Sequence, residues 1–340
     1  MWHIGIDLHR QSVVVGAVQD SGEVRPVRRF ACSEVESIVS FFTELRPFRA
    51  VIEATGTYRW LYSVLSPLGT VLLAHPLRLR AMLQRRSKTD RLDAMLLANL
   101  LRINQIPLAH IPDESYQRLR DLTRHRSRLV HAQVEGKNLL RWLLARHNVT
   151  APYKYPFGPR GLYWFSRLDL GGADNQVRDE LLERHAHYER QLKLIDARLE
   201  TMRDEFPECQ ALLELHGIGT FTALVLIAEW GDVTRFRTAK QAAAYTGLTA
   251  RVEQSGTHCH HGHITKQGSP WMRWVLIEAA MKIVGHDVAL ANFYTRIRKR
   301  ASAKIARVAV ARKLAEICWK RLRRWQADHQ AAAKEVAMPV

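Results

Sequence analysis

Acidic residues, cysteines and long apolar runs are all scarce in this chain of 340 residues. Its Asp and Glu number 33 against 51 Lys and Arg, which gives a formal net charge of +18 at pH 7. A charge of this sign and size predicts a polyanionic partner, and nucleic acid is the first candidate. No apolar run is long enough to span a bilayer and no signal-peptide pattern opens the sequence, so a membrane partner is not expected.

The cysteines are too few and too widely separated for a disulfide framework or a standard zinc module. No two of them form a Cys-x-x-Cys pair; they are Cys32, Cys209, Cys259 and Cys318. We therefore expect reduced thiols in a cytoplasmic protein. The hydrophobic fraction of 47% is sufficient for substantial cores, and the length predicts two or three domains.

What the chain does contain is a set of four acids in matching local settings. Asp7 lies in WHIGIDL, an apolar run of strand length, and Glu53 ends a second such run, AVIE. Asp90 and Asp93 stand three residues apart at the start of an amphipathic helical pattern, so their side chains project from one face. Two like charges held this close favour a bound cation.

A carboxylate at the end of a buried strand requires solvent, a partner or a metal ion. Oxygen ligands suit magnesium, and we predict that the four acids together bind one or two Mg²⁺ ions for phosphoryl transfer. The alternative is that Asp90 caps a helix, Asp93 belongs to its first turn, and the two strand-end acids are unrelated.

The elements expected in the first 110 residues follow the order βββαβαβα. Residues 2–31 predict a meander of three strands. A helix from residue 33 to about 45, the Glu53 strand, a helix near 58–65, a strand at 71–74, a break at Pro76 and the Asp90 helix follow. This is the order of the ribonuclease H-like fold, with Asp7 on the first strand, Glu53 on the fourth and the aspartate pair on a later helix.

Two long charged helical patterns come next, over residues 113–149 and 175–205. The segment between them, residues 152–172, is rich in Pro, Gly and aromatic residues and predicts a loop. The pair predicts either a coiled-coil-like arm or a plain helical hairpin. Because the remainder is also mainly helical, the expected fold class is α/β followed by all-α.

The last third carries two further signals for nucleic acid. Residues 289–325 are dense in Arg and Lys and poor in acids, which favours phosphate neutralisation over a merely solvated helix face. The run HGIG at residues 216–219 stands between two helical patterns. It predicts either a helix-hairpin-helix that holds a phosphate at a helix N-terminus, or a plain helix–helix turn that needs glycine.

A second stretch with chemical potential lies at residues 251–268. Its frequent glycines indicate an open loop that a ligand can approach closely. Ser255, before Gly256, is a candidate nucleophile that needs a base or a metal ion for activation, and a serine in a plain turn is the alternative. The histidines around Cys259 match no standard zinc finger. The candidate nucleic-acid contacts of the chain are Lys88, Arg251, Lys266, Arg273, Arg298 and Arg312.

With these segments in place, the chain closely resembles the insertion-sequence transposases of family one-ten, whose relatives include Piv-type DNA invertases. The resemblance covers nearly the whole chain and depends on the order and spacing of several short motifs. In the first half these are GIDLH at 5–9, EATGTY at 53–58 and KTDRLDA at 88–94. In the second half they are Gly217-Ile218-Gly219, Tyr245-x-Gly247-Leu248, Gln254-Ser255-Gly256 and Gly262-x-Ile264-x-Lys266-x-Gly268.

The resemblance implies a RuvC-like DEDD domain whose acids Asp7, Glu53, Asp90 and Asp93 bind Mg²⁺. It also implies a transposase domain in which Ser255 forms a covalent link to DNA, and a structured guide (bridge) RNA that pairs with donor and target DNA. Homodimers or homotetramers are expected, with acids and serine meeting between subunits. The expected domains are 1–110, RuvC-like; 111–205, helical arm; 206–330, transposase domain; and 331–340, a tail.

Two other functions compete with an RNA-guided recombinase that cuts and rejoins DNA. A metal-dependent nuclease or Holliday-junction resolvase of the RNase H fold would use only the four acids and water, and would not need Ser255. A basic RNA- or DNA-binding protein with a degenerate site would need neither centre, and the intact set of acids argues against it.

Overall fold

The computed structural model describes residues 1–82, 89–255 and 258–337. It describes the backbone alone at residues 252, 253, 255, 258–261 and 330–337. The chain divides into two compact units, Met1–Ile111 and Pro112–Val340. The first is mixed α/β around a central sheet and the second is mainly helical, which confirms the expected organisation at this level. The domain limits expected at residues 205/206 and 330/331 remain predictions.

Apolar runs in the first unit build its central sheet. The strands in chain order are β1 Trp2–Leu8, β2 Ser12–Gln19, β3 Val24–Ala31, β4 Phe48–Glu53, β5 Thr70–Ala74 and β6 Leu108–Ala109. Across the sheet the order is β3-β2-β1-β4-β5-β6. β1, β2 and β3 form an antiparallel meander, β4 and β5 run parallel to β1, and β6 is antiparallel to β5. The two central strands, β1 and β4, are buried along almost their whole length, as continuous apolar runs require.

The helices of the first unit are α1 Val35–Glu44, α2 Tyr58–Leu65, α3 Pro76–Met82 and α4 Asp90–Arg102. α2 has the bounds that the sequence predicts. Pro76 does not break the chain as predicted but begins α3, because the first turn of a helix has no use for the amide proton that proline lacks.

α4 lies directly on the backbone of β1 and β2 because two glycines face it. A β-carbon at Gly5 would lie 2.0 Å from the carbonyl oxygen of Ala94, and one at Gly16 would lie 2.8 Å from Met95 Sδ. Ala94 is completely buried in this contact. Any side chain on either glycine would push the helix outward. Because Ala94 is four residues from Asp90, the contact also fixes the start of α4 relative to the sheet.

The second unit is built from nine helices within the part of the chain that is described. They are α5 Glu114–Arg146, α6 Pro159–Arg167, α7 Gly172–Arg203, α8 Cys209–Leu213, α9 Thr220–Trp230, α10 Ala239–Tyr245, α11 Pro270–Val284, α12 Val288–Arg300 and α13 Ala303–Ala337. A 3-10 turn at Val233–Arg235 precedes α10. The basic run predicted over residues 289–325 is thus divided between α12 and α13.

α5 and α7 pack against each other as an antiparallel hairpin. Near one end Arg126 Nε lies 2.6 Å from Asp196 Oδ1, and at the other end His147 Nε2 lies 2.6 Å from Asp174 Oδ2. The segment between the two helices is not only a loop as predicted, since it contains α6. The buried ring of Phe165 draws α6 into a small core with leucines of α5 and α7. Whether the hairpin is a coiled coil remains a prediction.

α9 is the centre of the main core of the second unit. Every residue from 223 to 230 is buried. Arg120 of α5 donates to the carbonyl oxygens of Ala228 and Glu229, which end this helix. The Glu229 side chain is itself buried and accepts two bonds from Arg124, at 2.6 and 2.9 Å. A carboxylate can lie in a core when an opposite charge and hydrogen bonds compensate for its lost hydration, and Arg124 supplies both for Glu229.

Residues 250–255 and 258–264 form two paired β-strands, referred to below as the β7–β8 hairpin, so the prediction of an open loop is wrong for them. β7 Ala250–Ser255 pairs antiparallel with β8 His258–Ile264. The sequence signal failed because the strand residues are mostly polar and do not alternate with apolar ones, whereas the pairing depends on the backbone.

Three of the cysteines, Cys32, Cys209 and Cys318, are thiols without a disulfide partner. Burial raises the pKa of Cys209 to about 11 and that of Cys318 to about 12, so both are inert as nucleophiles near neutral pH. The side chain of Cys259 lies outside the described part. Among the described residues, no helix is both long and apolar enough to cross a membrane.

Candidate active site

Asp7 and Glu53 lie at the same end of two neighbouring parallel strands. Asp7 is half-buried near the end of β1, and Glu53 is the half-buried last residue of β4. Ile6 pairs with Ile52, so the two acids occupy the next position in the same register. Neighbouring strands are about 4.8 Å apart, and residues in register share a face of the sheet. The sheet therefore presents these two carboxylates together.

Asp90 and Asp93 lie in the first turn of α4. The N-cap of that helix is Thr89, whose hydroxyl accepts a hydrogen bond from the amide of Leu92 at 3.3 Å. The alternative in which Asp90 is the N-cap is therefore wrong. Acids are favourable here because the first turn carries the positive end of the helix dipole. The contact of α4 with Gly5 brings this turn towards the end of β1.

The ends of β1 and α4 meet in a tight cluster of ionisable groups. His9 Nε2 lies 3.2 Å from Asp7 Oδ2 and 3.3 Å from Asp90 Oδ1. One ligand atom from each of the three residues lies within 4.8 Å of the other two. Among the described residues, Glu53 and Asp93 are outside this tightest group. The structure thus brings Asp7 and Asp90 together across 83 positions of sequence, with His9 between them.

Arg29 supplies a positive charge at the edge of the cluster. Its Nη2 lies 3.1 Å from Asp90 Oδ2, and its side chain is 64% exposed. Arg29 pairs with Val14 on β2, and Val14 pairs with Asp7 on β1, so one row across the sheet carries both residues. This ion pair balances part of the negative charge that the acids concentrate here.

Sequence reasoning assigned no role to His9 or Arg29. His9 had a signal, because it follows Asp7 by two residues and period-two alternation places both on one side of an extended chain. No sequence signal pointed to Arg29, because its approach to Asp90 depends on the register of two strand pairs. Lys88, a predicted nucleic-acid contact, lies outside the described residues.

Arg273 and two glycines bind the base of the β7–β8 hairpin to the helices around it. The guanidinium of Arg273, on α11, donates to the carbonyl oxygens of Thr246 and Gly268 at 3.2 and 2.9 Å. Gly247 has φ of +73° and Gly268 of +148°. A β-carbon at Gly268 would lie 2.0 Å from the carbonyl oxygen of Tyr245. Two of the second-half motifs, Tyr245-x-Gly247-Leu248 and the one that ends at Gly268, therefore meet at one joint at the base of the strand pair.

Ser255 lies at the opposite end of the hairpin from this joint. It is the last residue of β7 and pairs with His258, whereas Ala250 and Ile264 pair at the base. With about 3.4 Å per strand residue, Ser255 stands about 17 Å along the ribbon from that base. The side chain of Ser255 lies outside the described part, as do those of His258 and Cys259.

The predicted nucleic-acid contacts differ in how many of their donors are already used. Arg251, Lys266 and Arg298 are exposed. Arg273 is half-buried, which lowers the pKa of its guanidinium, and it is bonded to two carbonyls. Arg312 Nη2 lies 3.6 Å from Glu316 Oε1 on the same helix, so its guanidinium already has a carboxylate partner. The three exposed residues therefore have the most donors available to a phosphate.

The HGIG turn between α8 and α9 is packed against α11. Gly217 has φ of +84°, and a β-carbon there would lie 2.8 Å from Lys282 Cβ. Gly219 has open space around it. A plain turn that needs glycine explains Gly217, and phosphate binding at the start of α9 remains a prediction.

Two family models match the chain, one from β1 to the end of α5 and the other from α8 into α12. The model DEDD_Tnp_IS110, described as "Transposase", matches residues 4–149, which include all four acids. The model described as "Transposase IS116/IS110/IS902 family" matches residues 209–295, which include Ser255 and the joint around Arg273.

Curated relatives match over most of the chain. "Probable family 20 transposase" of Pseudomonas aeruginosa is 28% identical over 340 residues, which cover 94% of this chain and 96% of the relative. The "Transposase for insertion sequence element IS1111A" of Coxiella burnetii is 25% identical, over 94% of this chain and 89% of the relative. The "Pilin gene-inverting protein" of Moraxella bovis is 25% identical, over 79% of this chain and 78% of the relative.

Proposed function

Because the chain belongs to the IS110 family of insertion-sequence transposases, we propose that it cuts and rejoins DNA through two chemical centres. The first centre consists of Asp7, Glu53, Asp90 and Asp93, and the second is Ser255. The observation that carries the proposal is the approach of Asp7, His9 and Asp90, whose ligand atoms lie within 4.8 Å of one another.

We assign the first unit an RNase H-like, RuvC-like fold. An antiparallel meander of three strands followed by two parallel strands, in the order β3-β2-β1-β4-β5, supports this assignment. The match of residues 4–149 to the DEDD transposase model supports it as well. In this fold the acids come from the ends of the two central strands and from a helix across the sheet, which is where Asp7, Glu53, Asp90 and Asp93 lie.

The donor set of the first centre fits a divalent cation. Asp7 and Asp90 each place a carboxylate oxygen next to the same nitrogen of His9, Nε2, and Glu53 stands in register with Asp7. A DEDD domain implies a divalent metal ion, and four carboxylate ligands favour Mg²⁺. When bound, Mg²⁺ polarises the phosphate and stabilises charge on the entering and leaving oxygens. His9 orients the Asp7 and Asp90 carboxylates, and Arg29 holds the second oxygen of Asp90.

The role proposed for Ser255 follows from the need to rejoin DNA without an energy source. Its Oγ forms a bond to the phosphorus while one deoxyribose oxygen leaves, and the hydroxyl proton ends on that oxygen. The ester to serine keeps the energy of the broken phosphodiester. In rejoining, a deoxyribose hydroxyl attacks the phosphorus, and Oγ leaves and recovers a proton.

The partners belong to the same proposal. The exposed Arg251, Lys266 and Arg298 contact the phosphates of donor DNA, target DNA and a structured guide RNA, in keeping with the net charge of +18. The acids belong to Met1–Ile111 and Ser255 to Pro112–Val340. We propose a homodimer or homotetramer in which the acids of one subunit and Ser255 of another act on the same DNA strand. We also propose that the protein acts in the cytoplasm.

The experiment separates the two centres by their products. A plasmid that carries the element with its native flanking DNA is assayed for recombination and for a covalent protein–DNA adduct stable in SDS. Asp7→Asn should abolish both. Ser255→Ala should keep the fold and nucleic-acid binding but abolish both recombination and adduct, whereas Gln254→Ala, at the exposed neighbouring position, should keep both. Normal recombination by Ser255→Ala would leave the metal-dependent nuclease or junction resolvase as the better account.

A further inference from the structure

The tip of the α5–α7 hairpin combines positive charge with aromatic side chains. This tip consists of residues 136–168, which cover the last part of α5, the connecting segment and α6. They contain six Lys and Arg, seven Phe, Trp and Tyr, and no Asp or Glu. The chain as a whole has 33 acids for its 51 Lys and Arg, so this stretch departs sharply from the average. The proposed chemistry at the acids and Ser255 uses none of these residues.

Several of the aromatic rings at the tip face solvent. Tyr155 is 73% exposed and Tyr163 is 62% exposed. Other rings of the segment are used for packing, since Phe157 stacks on buried Phe165. The tip therefore has a core of its own, and the exposed tyrosines are additional to what that core requires. Two large exposed rings within one short segment are the kind of feature from which a binding surface is built.

The exposed tyrosines are joined by one rigid piece of structure. Arg160, Tyr163 and Arg167 follow one another at helical spacing on the exposed face of α6. Tyr155 precedes that helix by a tight turn, in which its carbonyl accepts from the amide of Gly158 at 3.1 Å. The turn is pressed onto α6, because a β-carbon at Gly161 would lie 2.0 Å from the carbonyl oxygen of Pro156.

Each tyrosine has a cation beside it. Lys154 Nζ is 5.6 Å from the ring centre of Tyr155. Arg167 donates to the hydroxyl of Tyr163 at 2.5 Å, and its Cζ is 5.5 Å from the ring centre. With Arg167 in this position Tyr163 is still 62% exposed. Rings that alternate with cations are what an unpaired strand requires, since bases stack on the rings and phosphates meet the cations.

We propose that Tyr155 and Tyr163, with Lys154, Arg160 and Arg167, form a binding site for an unpaired DNA strand. Unpaired DNA is favoured over duplex because base faces inside a duplex are already stacked. It is favoured over a second copy of this surface because a two-fold contact would place like charges opposite each other. We commit to DNA because the family acts on it. The site goes beyond the proposed function, since holding a strand requires neither the acids nor Ser255.

The test measures binding by the full chain in EDTA, so that failure of the metal chemistry cannot affect it. The probes are a fluorescent oligo-dT of about 12 nucleotides, an abasic strand of equal length, the corresponding duplex and oligo-rU. The wild type should bind oligo-dT about tenfold more tightly than the abasic strand, since both have the same phosphates and only one has bases. Equal affinity for these two strands, or tighter binding of the duplex, would overturn the proposal.

Substitutions then locate the site. The double variant Tyr155→Leu, Tyr163→Leu should weaken oligo-dT binding about tenfold and leave the abasic strand unaffected, whereas the two Phe substitutions should keep wild-type binding. Arg160→Gln should weaken both strands, with Arg190→Gln, at an exposed position on α7, as the charge control. Wild-type binding of oligo-dT by the Leu variant would reject the site, and tighter binding of oligo-rU than oligo-dT would reject DNA as its ligand.

Discussion

The acids of the first unit and the β7–β8 hairpin that carries Ser255 are held in position in different ways. The acids lie at the ends of β1, β4 and α4, and Gly5 locks α4 against the sheet only a turn away from them. The hairpin is fixed at its base by Arg273, Gly247 and Gly268, and Ser255 lies at its far end. The packed interior of the first unit therefore holds the acids in position. Ser255, in contrast, lies at the far end of a strand pair that is fixed at its base.

This difference indicates how each centre reaches its substrate. Ligands of a metal ion must be held close to their final positions, which strands and helices of a packed unit achieve. A ribbon that extends about 17 Å from its base can present a side chain to a site formed elsewhere. In the proposed function, Ser255 at the end of such a ribbon acts at acids that lie outside its own unit.

The largest expected effect concerns the contact between Gly5 and α4, which positions the acids of that helix. Gly5→Ala should lower the free energy of unfolding of the first unit by about 3 kcal/mol, because its β-carbon would meet the backbone of α4 at 2.0 Å. Hydrogen exchange of the α4 amides should rise with it. Gly56→Ala is the matched control, since a β-carbon there meets nothing within 4 Å. Equal stability of the two variants would mean that the glycine contact does not fix α4.

The next effect tests the joint of the hairpin in the same way. Gly268→Ala combines a φ of +148° with a β-carbon 2.0 Å from the Tyr245 carbonyl oxygen, and should cost about 2 kcal/mol. Gly262→Ala, within β8, should cost little because its nearest neighbour would be Arg251 Cβ at 3.7 Å. Thermal unfolding of the second unit, followed by near-UV circular dichroism, measures both. Similar loss in both variants would contradict the idea of a joint localised at the base.

Much of the first unit was predictable because its signals are local. Apolar runs define β1 and β4, and the acids that end them stand out against those runs. Arg29 was not predictable, because its ion pair depends on two strand registers. The second unit was harder. The polar β7–β8 pair has no apolar alternation to reveal it, and α6 is short and lies among Pro and Gly residues that indicate a loop.

A smaller effect distinguishes the N-cap of α4 from the acids it positions. Thr89→Ala should cost about 1 kcal/mol, because the Leu92 amide loses its acceptor. Thr57 occupies the same position before α2 without a capping bond from its side chain, so Thr57→Ala should cost much less. Chemical denaturation of both variants measures the difference. If they lose equal stability, Thr89 does not act as a cap.

The smallest stability effect should come from Arg29, whose contribution is electrostatic. Arg29→Gln should change the free energy of unfolding by less than about 1 kcal/mol, since the pair is exposed. It should raise the affinity for Mn²⁺ by less than about tenfold, because one competing positive charge is removed. Arg28→Gln is the control, as the neighbouring residue of β3 points to the other face. A fall in affinity for Mn²⁺ specific to Arg29→Gln would mean that Arg29 supports the ion instead of competing with it.

The most direct test of the account is whether the acid cluster binds a divalent cation. Mn²⁺ binding to the full chain, followed by electron paramagnetic resonance of the unbound ion, should weaken at least about tenfold in Asp7→Asn and in Asp90→Asn. It should be unchanged in Glu36→Gln, an exposed acid on α1. Unchanged Mn²⁺ affinity in both aspartate variants, with the fold intact, would contradict the claim that these residues form a metal site.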